Sequence, residues 1–206
     1  MRAAELNEYS TTSKKIDRIL KAKGYKRLGA GVDQTAYLEP GTGFVLKVFG
    51  TQGGETFSQD HKMFFAWAKY CMKNSNNPFL PRFGGYESFI LDGDRYLQIR
   101  QEALQPIGVM GRLLDLIAQS IEEDGVRHLD DAEDYIADYG LDTDLKNFEK
   151  LRKQLGDKGF NLLFSTMLKL HAISQKQGWG FDLHAGNFMR RADGTPVIVD
   201  PWVVFE

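Results

Sequence analysis

The stretch GFDLHAGNFMRRADGTPVIVDPW, residues 180–202, contains the pattern that decides the fold of the second half of the chain. Two short apolar runs flank Asp193-Gly194, a dipeptide that favours a tight hairpin turn. A hairpin at that point folds two strands back on each other. Residues before the first strand and after the second then lie at one end, so we expect Asp182, Asn187 and Asp200 to converge there.

The residue types at these three positions suit chemistry on phosphate groups. Asn187 follows Asp182 by five residues, and Asp200 follows Asn187 by 13. Carboxylate and amide oxygens are hard ligands of the kind that Mg²⁺ takes together with water and phosphate oxygens. A further carboxylate beside them can orient a hydroxyl and accept its proton. Asp and Asn are also common turn residues, so the spacing alone leaves a purely structural role open.

Two features nearer the N-terminus fit phosphate contacts as well. Gly29-Ala30-Gly31 lies between two predicted strands, and glycines let backbone N–H groups approach phosphates closely. Paired glycines also make plain hairpins. Lys47 lies inside the apolar run VLKVF, where a lysine is costly unless it is paired or functional. A lysine with its head group in solvent is the structural alternative.

Periodicity divides the chain into a mostly β part and a mostly helical part. Residues 25–104 carry short alternating runs with one helix predicted over 55–73. Residues 105–206 show helical spacing followed by the C-terminal hairpin. We therefore predict an α+β fold, with residues 1–24 as an N-terminal helical extension and the joint between the two parts near Glu102 to Pro106.

Turn residues predict the boundaries of several elements. Asp92-Gly93 between two apolar runs predicts a second hairpin. Helical spacing is weak over residues 129–155 and strong over 157–177, and Gly178 is expected to end that last helix.

Composition excludes several classes of protein. The 206 residues include 26 Lys and Arg against 28 Asp and Glu, a net charge of −2, which argues against a nucleic-acid binder. The single cysteine, Cys71, cannot form an internal disulfide, so a reducing compartment is expected. No apolar run reaches the roughly 18 residues of a membrane span. We expect a cytoplasmic protein without membrane or nucleic-acid partners.

The order of these features resembles the protein-kinase-like superfamily from about Leu28 to Asp200. Residues 182–187, DLHAGN, look like the D-L-H-x-G-N catalytic loop of aminoglycoside phosphotransferase-like and related atypical kinases. Residues 198–202, IVDPW, stand where that family has its magnesium-binding Asp. The resemblance implies one bilobal domain over residues 1–206, with an antiparallel β-sheet in the first lobe and a reduced, mostly helical second lobe.

The resemblance also implies roles for individual residues. Asp182 would be the catalytic base or would position the acceptor hydroxyl, Asn187 and Asp200 would hold Mg²⁺, and Lys47 would hold the α- and β-phosphates of ATP. The nucleotide phosphates would be covered by Gly29, Ala30 and Gly31. The hinge would offer backbone groups to adenine from Gln101, Glu102, Ala103 and Leu104. An acidic residue of the next helix would pair with Lys47; Glu55 and Asp60 are both open, with Asp60 favoured.

Three positions depart from the family pattern. Gln34 replaces the third glycine of the glycine-rich loop, Gly180-Phe181 leaves no histidine just before Asp182, and Pro201-Trp202 follows Asp200. Six residues follow Asp200, too few for an activation segment or a peptide-docking surface. The expectation is a C-terminally truncated domain whose acceptor site is completed by a protein partner, with the alternative that residues 1–23 or 124–155 cover the second lobe.

These inferences predict an ATP- and Mg²⁺-dependent phosphotransferase that transfers the γ-phosphate to a hydroxyl of a protein Ser or Thr or of a small molecule. The alternative is a pseudokinase-like regulatory module that binds nucleotide and acts through a partner protein.

Overall fold

The computed structural model describes residues 14–30, 34–50 and 59–204, apart from the side chain of Asp60. The described part is an α+β fold, as predicted. It forms two compact units. The first contains residues up to Lys62 together with Arg82–Ala103, and the second contains Met63–Pro81 and the chain from Leu104 onward.

The first unit is built on an antiparallel sheet of five strands in the order β1-β2-β3-β5-β4. The strands are β1 Lys26–Ala30, β2 Gln34–Leu38, β3 Phe44–Gly50, β4 Phe83–Leu91 and β5 Asp94–Glu102. Leu91 pairs with Asp94 across a two-residue turn in which Asp92 and Gly93 have φ of 57° and 93°. Positive φ at both positions is the geometry of a tight hairpin turn, so the hairpin predicted here is confirmed.

One face of this sheet is covered by the helix α1, residues 14–22. Ile16 and Leu20 lie one helical turn apart and pack on Tyr37 and its buried neighbours in the sheet. The Tyr37 hydroxyl donates to Asp17 Oδ1 at 2.5 Å. Burial and this hydrogen bond raise the pKa of Tyr37, so the phenol stays protonated and the pair remains intact over the physiological range.

The second unit is mostly helical. Its helices are α2 Gln59–Lys73, whose first turn belongs to the first unit, α3 Met110–Glu122, α4 Leu129–Tyr139 and α5 Asp142–Gln177. Two small antiparallel sheets, β10-β7 and β6-β8-β9, complete it. Their strands are β6 Gln105–Pro106, β7 Gly180–Phe181, β8 Phe188–Arg190, β9 Pro196–Ile198 and β10 Trp202–Val203. No helix in the described ranges has the length and hydropathy that crossing a membrane requires.

Residues 63–81 group differently from the sequence-based expectation, which assigned them to the first lobe. The reason is a set of contacts that join them to the C-terminal hairpin. The backbone N–H of Ile198 donates to the Phe79 carbonyl at 2.9 Å, and the Arg191 guanidinium donates to the carbonyls of Pro78 and Leu80. Phe79 and Leu80 are themselves buried.

Helix α5 reverses direction at Gly156. There φ is 65° and ψ is 164°, a backbone conformation that only glycine adopts readily. Phe148 and Phe160 flank this point, and their ring centroids are 4.9 Å apart. In a straight helix 12 residues would separate them by about 18 Å. Gly156 therefore joins two helices that pack on each other, at the boundary that the sequence predicts between 129–155 and 157–177.

We expect Gly156→Ala to destabilise the protein by about 1–3 kcal/mol, because alanine, unlike glycine, is strained in this backbone conformation. A Cβ at this position would meet no atom within 4 Å, so the cost comes from the backbone alone. Urea unfolding followed by circular dichroism measures it. Lys158→Ala, an exposed helical position nearby, should change stability by less than about 0.5 kcal/mol. Equal stabilities of the two variants would contradict the assignment.

Candidate functional site

The C-terminal hairpin brings Asp182, Asn187 and Asp200 together through the backbone. The N–H of Val199 donates to the carbonyl of Asn187 at 2.9 Å, and the N–H of Asp182 donates to the carbonyl of Pro201 at 2.9 Å. Asp200 lies between Val199 and Pro201 in the chain. The two residues that flank Asp200 are therefore bonded to Asn187 on one side and Asp182 on the other, which is the predicted convergence.

The Asn187 side chain fixes the loop that carries Asp182. Its Nδ2 donates to the Asp182 carbonyl at 2.6 Å and to Asp182 Oδ2 at 3.1 Å. Both contacts use the amide nitrogen, so the amide oxygen of Asn187 remains for another ligand. The Asp182 side chain is 40% exposed, so its carboxylate is held by a neighbour and still open to solvent.

His184 adds a fourth side chain, one that the sequence analysis did not single out. Its Nδ1 accepts the N–H of Gly186 at 3.0 Å, and its Nε2 lies 3.9 Å from Asp182 Oδ2. An Nδ1 that accepts a hydrogen bond places the ring proton on Nε2, toward the carboxylate. A Cβ at position 186 would lie 2.7 Å from the ring Cε1, so only glycine leaves room for this ring position. The H-x-G spacing within DLHAGN was the available sequence signal.

Two tryptophans hold the segment between β9 and β10 that contains Asp200. Trp67 of α2 donates its indole N–H to the Val199 carbonyl at 2.9 Å, and Trp202 donates to the Leu170 carbonyl at 3.1 Å. The two indole rings meet edge to face, 5.5 Å apart. Both are buried. Asp200 is therefore flanked on either side by a residue fixed to a helix.

A carboxylate at the end of α3 adds negative charge near Asp182. Burial, then the charges of Glu123 and Asp182, raise the pKa of Glu122. Glu122 therefore lies within electrostatic range of the Asp182 carboxylate.

In the first unit, Lys47 occupies the middle of the sheet. It lies on β3, opposite Ala36 of β2 and Ile99 of β5. Gly29 and Ala30 form the exposed end of β1, where a Cβ at Gly29 would meet nothing within 4 Å. Gly31 lies outside the described residues, as does Glu55. Asp60 is in the first turn of α2, and its side chain is outside the description, so the choice of the Lys47 partner stays a prediction.

The predicted hinge uses part of its backbone within the sheet. The N–H of Glu102 donates to the Arg82 carbonyl, and the N–H of Ala103 donates to the Gly43 carbonyl, both at 2.8 Å. Both backbone N–H groups therefore donate their hydrogen bonds within the first unit. The chain passes from the first unit to the second between Ala103 and Leu104. The Gln101 side chain is buried.

The donor set of the loop fits a magnesium ion that is completed by phosphate and water. Among the residues that the structure describes, no group of three or more His, Cys, Asp or Glu side chains could hold a metal by itself. Mg²⁺ commonly takes only one or two carboxylates from the protein. The amide oxygen of Asn187 and the half-buried carboxylate of Asp200 are of that kind.

We expect Gly186→Ala to displace the His184 ring without unfolding the protein, because the clashing atoms belong to an exposed side chain that can rotate away. The imidazole ¹H–¹⁵N correlation spectrum should show Nδ1 losing its hydrogen bond. The melting temperature should fall by less than about 4 °C, the equivalent of roughly 1 kcal/mol for a chain of this size. An unchanged His184 spectrum would contradict the ring position.

No protein-family model matches the chain, and a search of the curated proteins finds no match.

Proposed function

We propose that the chain is an ATP- and Mg²⁺-dependent phosphotransferase with a bilobal, protein-kinase-like fold, acting on a hydroxyl acceptor of a protein or a small molecule. The observation that carries the proposal is the convergence of Asp182, Asn187 and Asp200 on one loop cluster. Three residues with oxygen-bearing side chains, two of them carboxylates, lie close together there. In this proposal the two compact units are the two lobes.

The cluster offers a division of roles. Asp200 and the amide oxygen of Asn187 would hold Mg²⁺, which when bound neutralises charge on the phosphates of the nucleotide. Asp182 would accept a hydrogen bond from the acceptor hydroxyl and take its proton as the bond to phosphorus forms. The contact from Asn187 Nδ2 to Asp182 Oδ2 holds one carboxylate oxygen in place, so the other is directed to the acceptor.

Lys47 supports the nucleotide part of the proposal. A lysine on a central strand of a sheet, between Ala36 and Ile99, is held by regular pairing on both sides. Such a lysine presents its ammonium from a rigid base, as a phosphate contact needs. The open space over Gly29 leaves room for a phosphate near the backbone.

We expect Asp200→Asn to remove the effect of Mg²⁺ on ATP binding. The substitution keeps the volume and removes the charge of the proposed ligand, so Mg²⁺-dependent affinity should fall roughly 10- to 100-fold. Calorimetric titration of ATP with Mg²⁺ and with a chelator measures it. Asp193→Asn is the matched control: it lies in the turn of the same hairpin, and its side chain accepts the Thr195 N–H at 2.9 Å, a role that asparagine can fill. Equal Mg²⁺-dependent affinity in both variants would refute the metal assignment.

We expect Asp182→Asn to keep ATP binding and to lower the transfer rate by about 10²–10⁴, the scale of a lost general base. The assay is γ-labelled ATP with the protein alone, with cell extract and with a panel of hydroxylated small molecules. Asp193→Asn should transfer at the wild-type rate. Mg-ATP binding with no transfer to any acceptor would favour the pseudokinase-like alternative, and a rate in Asp182→Asn equal to wild type would assign the base elsewhere.

A further inference from the structure

We propose that the side-chain amide oxygen of Gln101 accepts a hydrogen bond from the 6-amino group of adenine and so makes the site selective for adenine nucleotides. The inference rests on the proposed function, because it assigns a specificity residue to the same nucleotide. It concerns the Gln101 side chain, whereas the sequence analysis gave this position only a backbone role.

The observation behind it is an unsatisfied polar atom. The Gln101 side chain is 4% exposed, and its Oε1 is buried without any hydrogen-bond donor in the described part of the chain. Buried side-chain oxygens in proteins nearly always accept a hydrogen bond, because an unpaired one costs about 1–3 kcal/mol. A glutamine retained at that cost is explained by a donor that arrives with a ligand.

The position of Gln101 points to the ligand. On β5 it lies opposite Val45, and two residues earlier Ile99 lies opposite Lys47. Directly opposed residues share a face of a sheet, and so do residues two apart on one strand. Gln101 and Lys47 are therefore on the same face, about 7 Å apart along the strand direction. One ligand that carries phosphate at one end and a planar base at the other would reach both.

The surroundings of the amide select a flat, mostly apolar group. Ile99 is 1% exposed, and Val45 and Phe83, which lie opposite Gln101 on the two neighbouring strands, are half-buried, so these neighbours of Gln101 on this face are apolar. A hydrogen-bond acceptor in apolar surroundings favours a ligand that carries an N–H group at the edge of a flat aromatic ring. The 6-amino group of adenine supplies such a donor. A 6-oxo purine would set one acceptor against another, and a purine without the group would leave Oε1 unpaired.

Gln98 shows that a buried oxygen without a donor is not a general feature of glutamines on this strand, since the Gln98 side chain is only half-buried. It is three residues from Gln101 and so on the opposite face, where its Nε2 donates to Glu87 Oε2 at 2.9 Å. Oε1 of Gln34, at the start of β2, also lacks a partner. Gln34 adjoins residues 31–33, outside the described part, so the proposal concerns Gln101 alone.

The test compares nucleotides on the unaltered protein by calorimetry with Mg²⁺ present. Purine riboside triphosphate differs from ATP only in having hydrogen in place of the 6-amino group. We expect it to bind about 3- to 10-fold more weakly, the equivalent of one hydrogen bond. Inosine triphosphate, with its 6-oxo group, should bind more weakly still. Equal affinity of ATP and purine riboside triphosphate overturns the inference and leaves the proposed function standing; no binding of any nucleotide overturns both.

Gln101→Met tests two effects of the glutamine side chain: its proposed selection of adenine and the cost of its unpaired oxygen to the stability of the protein. We expect it to remove the preference for ATP over purine riboside triphosphate and to raise the melting temperature of the nucleotide-free protein, since an unpaired buried oxygen is gone. Gln98→Met is the matched control and should keep the preference. A Gln101→Met protein that still prefers ATP overturns the inference. If that variant does not fold, the comparison of nucleotides on the unaltered protein decides alone.

Discussion

Two backbone hydrogen bonds determine where the polar side chains of the second unit lie. Val199 N–H to Asn187 C=O and Asp182 N–H to Pro201 C=O bind both neighbours of Asp200 to the loop 182–187. Such bonds involve only main-chain atoms, so they fix the three side chains without using any of their functional groups. The backbone therefore positions the three residues independently of the contacts that their side chains make.

In the first unit, polar side chains that hydrogen-bond to one another lie on one face of the sheet, and the buried oxygen of Gln101 lies on the other. Arg100, on the face of β5 opposite to Gln101, donates to Glu39 Oε2 from both Nε and Nη2, at 2.9 and 2.6 Å. Burial alone would raise the pKa of Glu39, but hydrogen bonds from Arg100, Thr42 and Tyr25 lower it, so this carboxylate stays charged and paired. One face of the sheet thus has a closed polar network, and the other carries Lys47 and the unpaired oxygen of Gln101.

The sequence predicts those parts of the molecule that depend on local chemistry. The turns at Asp92-Gly93 and Asp193-Gly194 follow from two residues each, and both hairpins are confirmed. The end of α5 at Gly178, where φ is 69°, is confirmed for the same reason. The convergence of Asp182 and Asp200 could be predicted because a hairpin turn lies between them.

Contacts between distant residues could not be predicted in this way. The bond from Trp67 to Val199 joins positions 132 apart, and no periodicity contains it. The grouping of residues 63–81 with the second unit depends on that kind of contact. The burial of Gln101 is a similar case. Gln98 and Gln101 are the same residue type on one strand, and only the packing of the folded chain decides which amide oxygen is buried without a donor.

The indole contacts described above have a spectroscopic consequence. The chain has three tryptophans, Trp67, Trp179 and Trp202, and all of them belong to the second unit. Their rings form one cluster, since Trp202 lies 5.5 Å from Trp67 and 5.1 Å from Trp179. The first unit contributes tyrosine emission only. Intrinsic tryptophan fluorescence is therefore an optical signal of the second unit alone, with one of its chromophores bonded directly to the residue before Asp200.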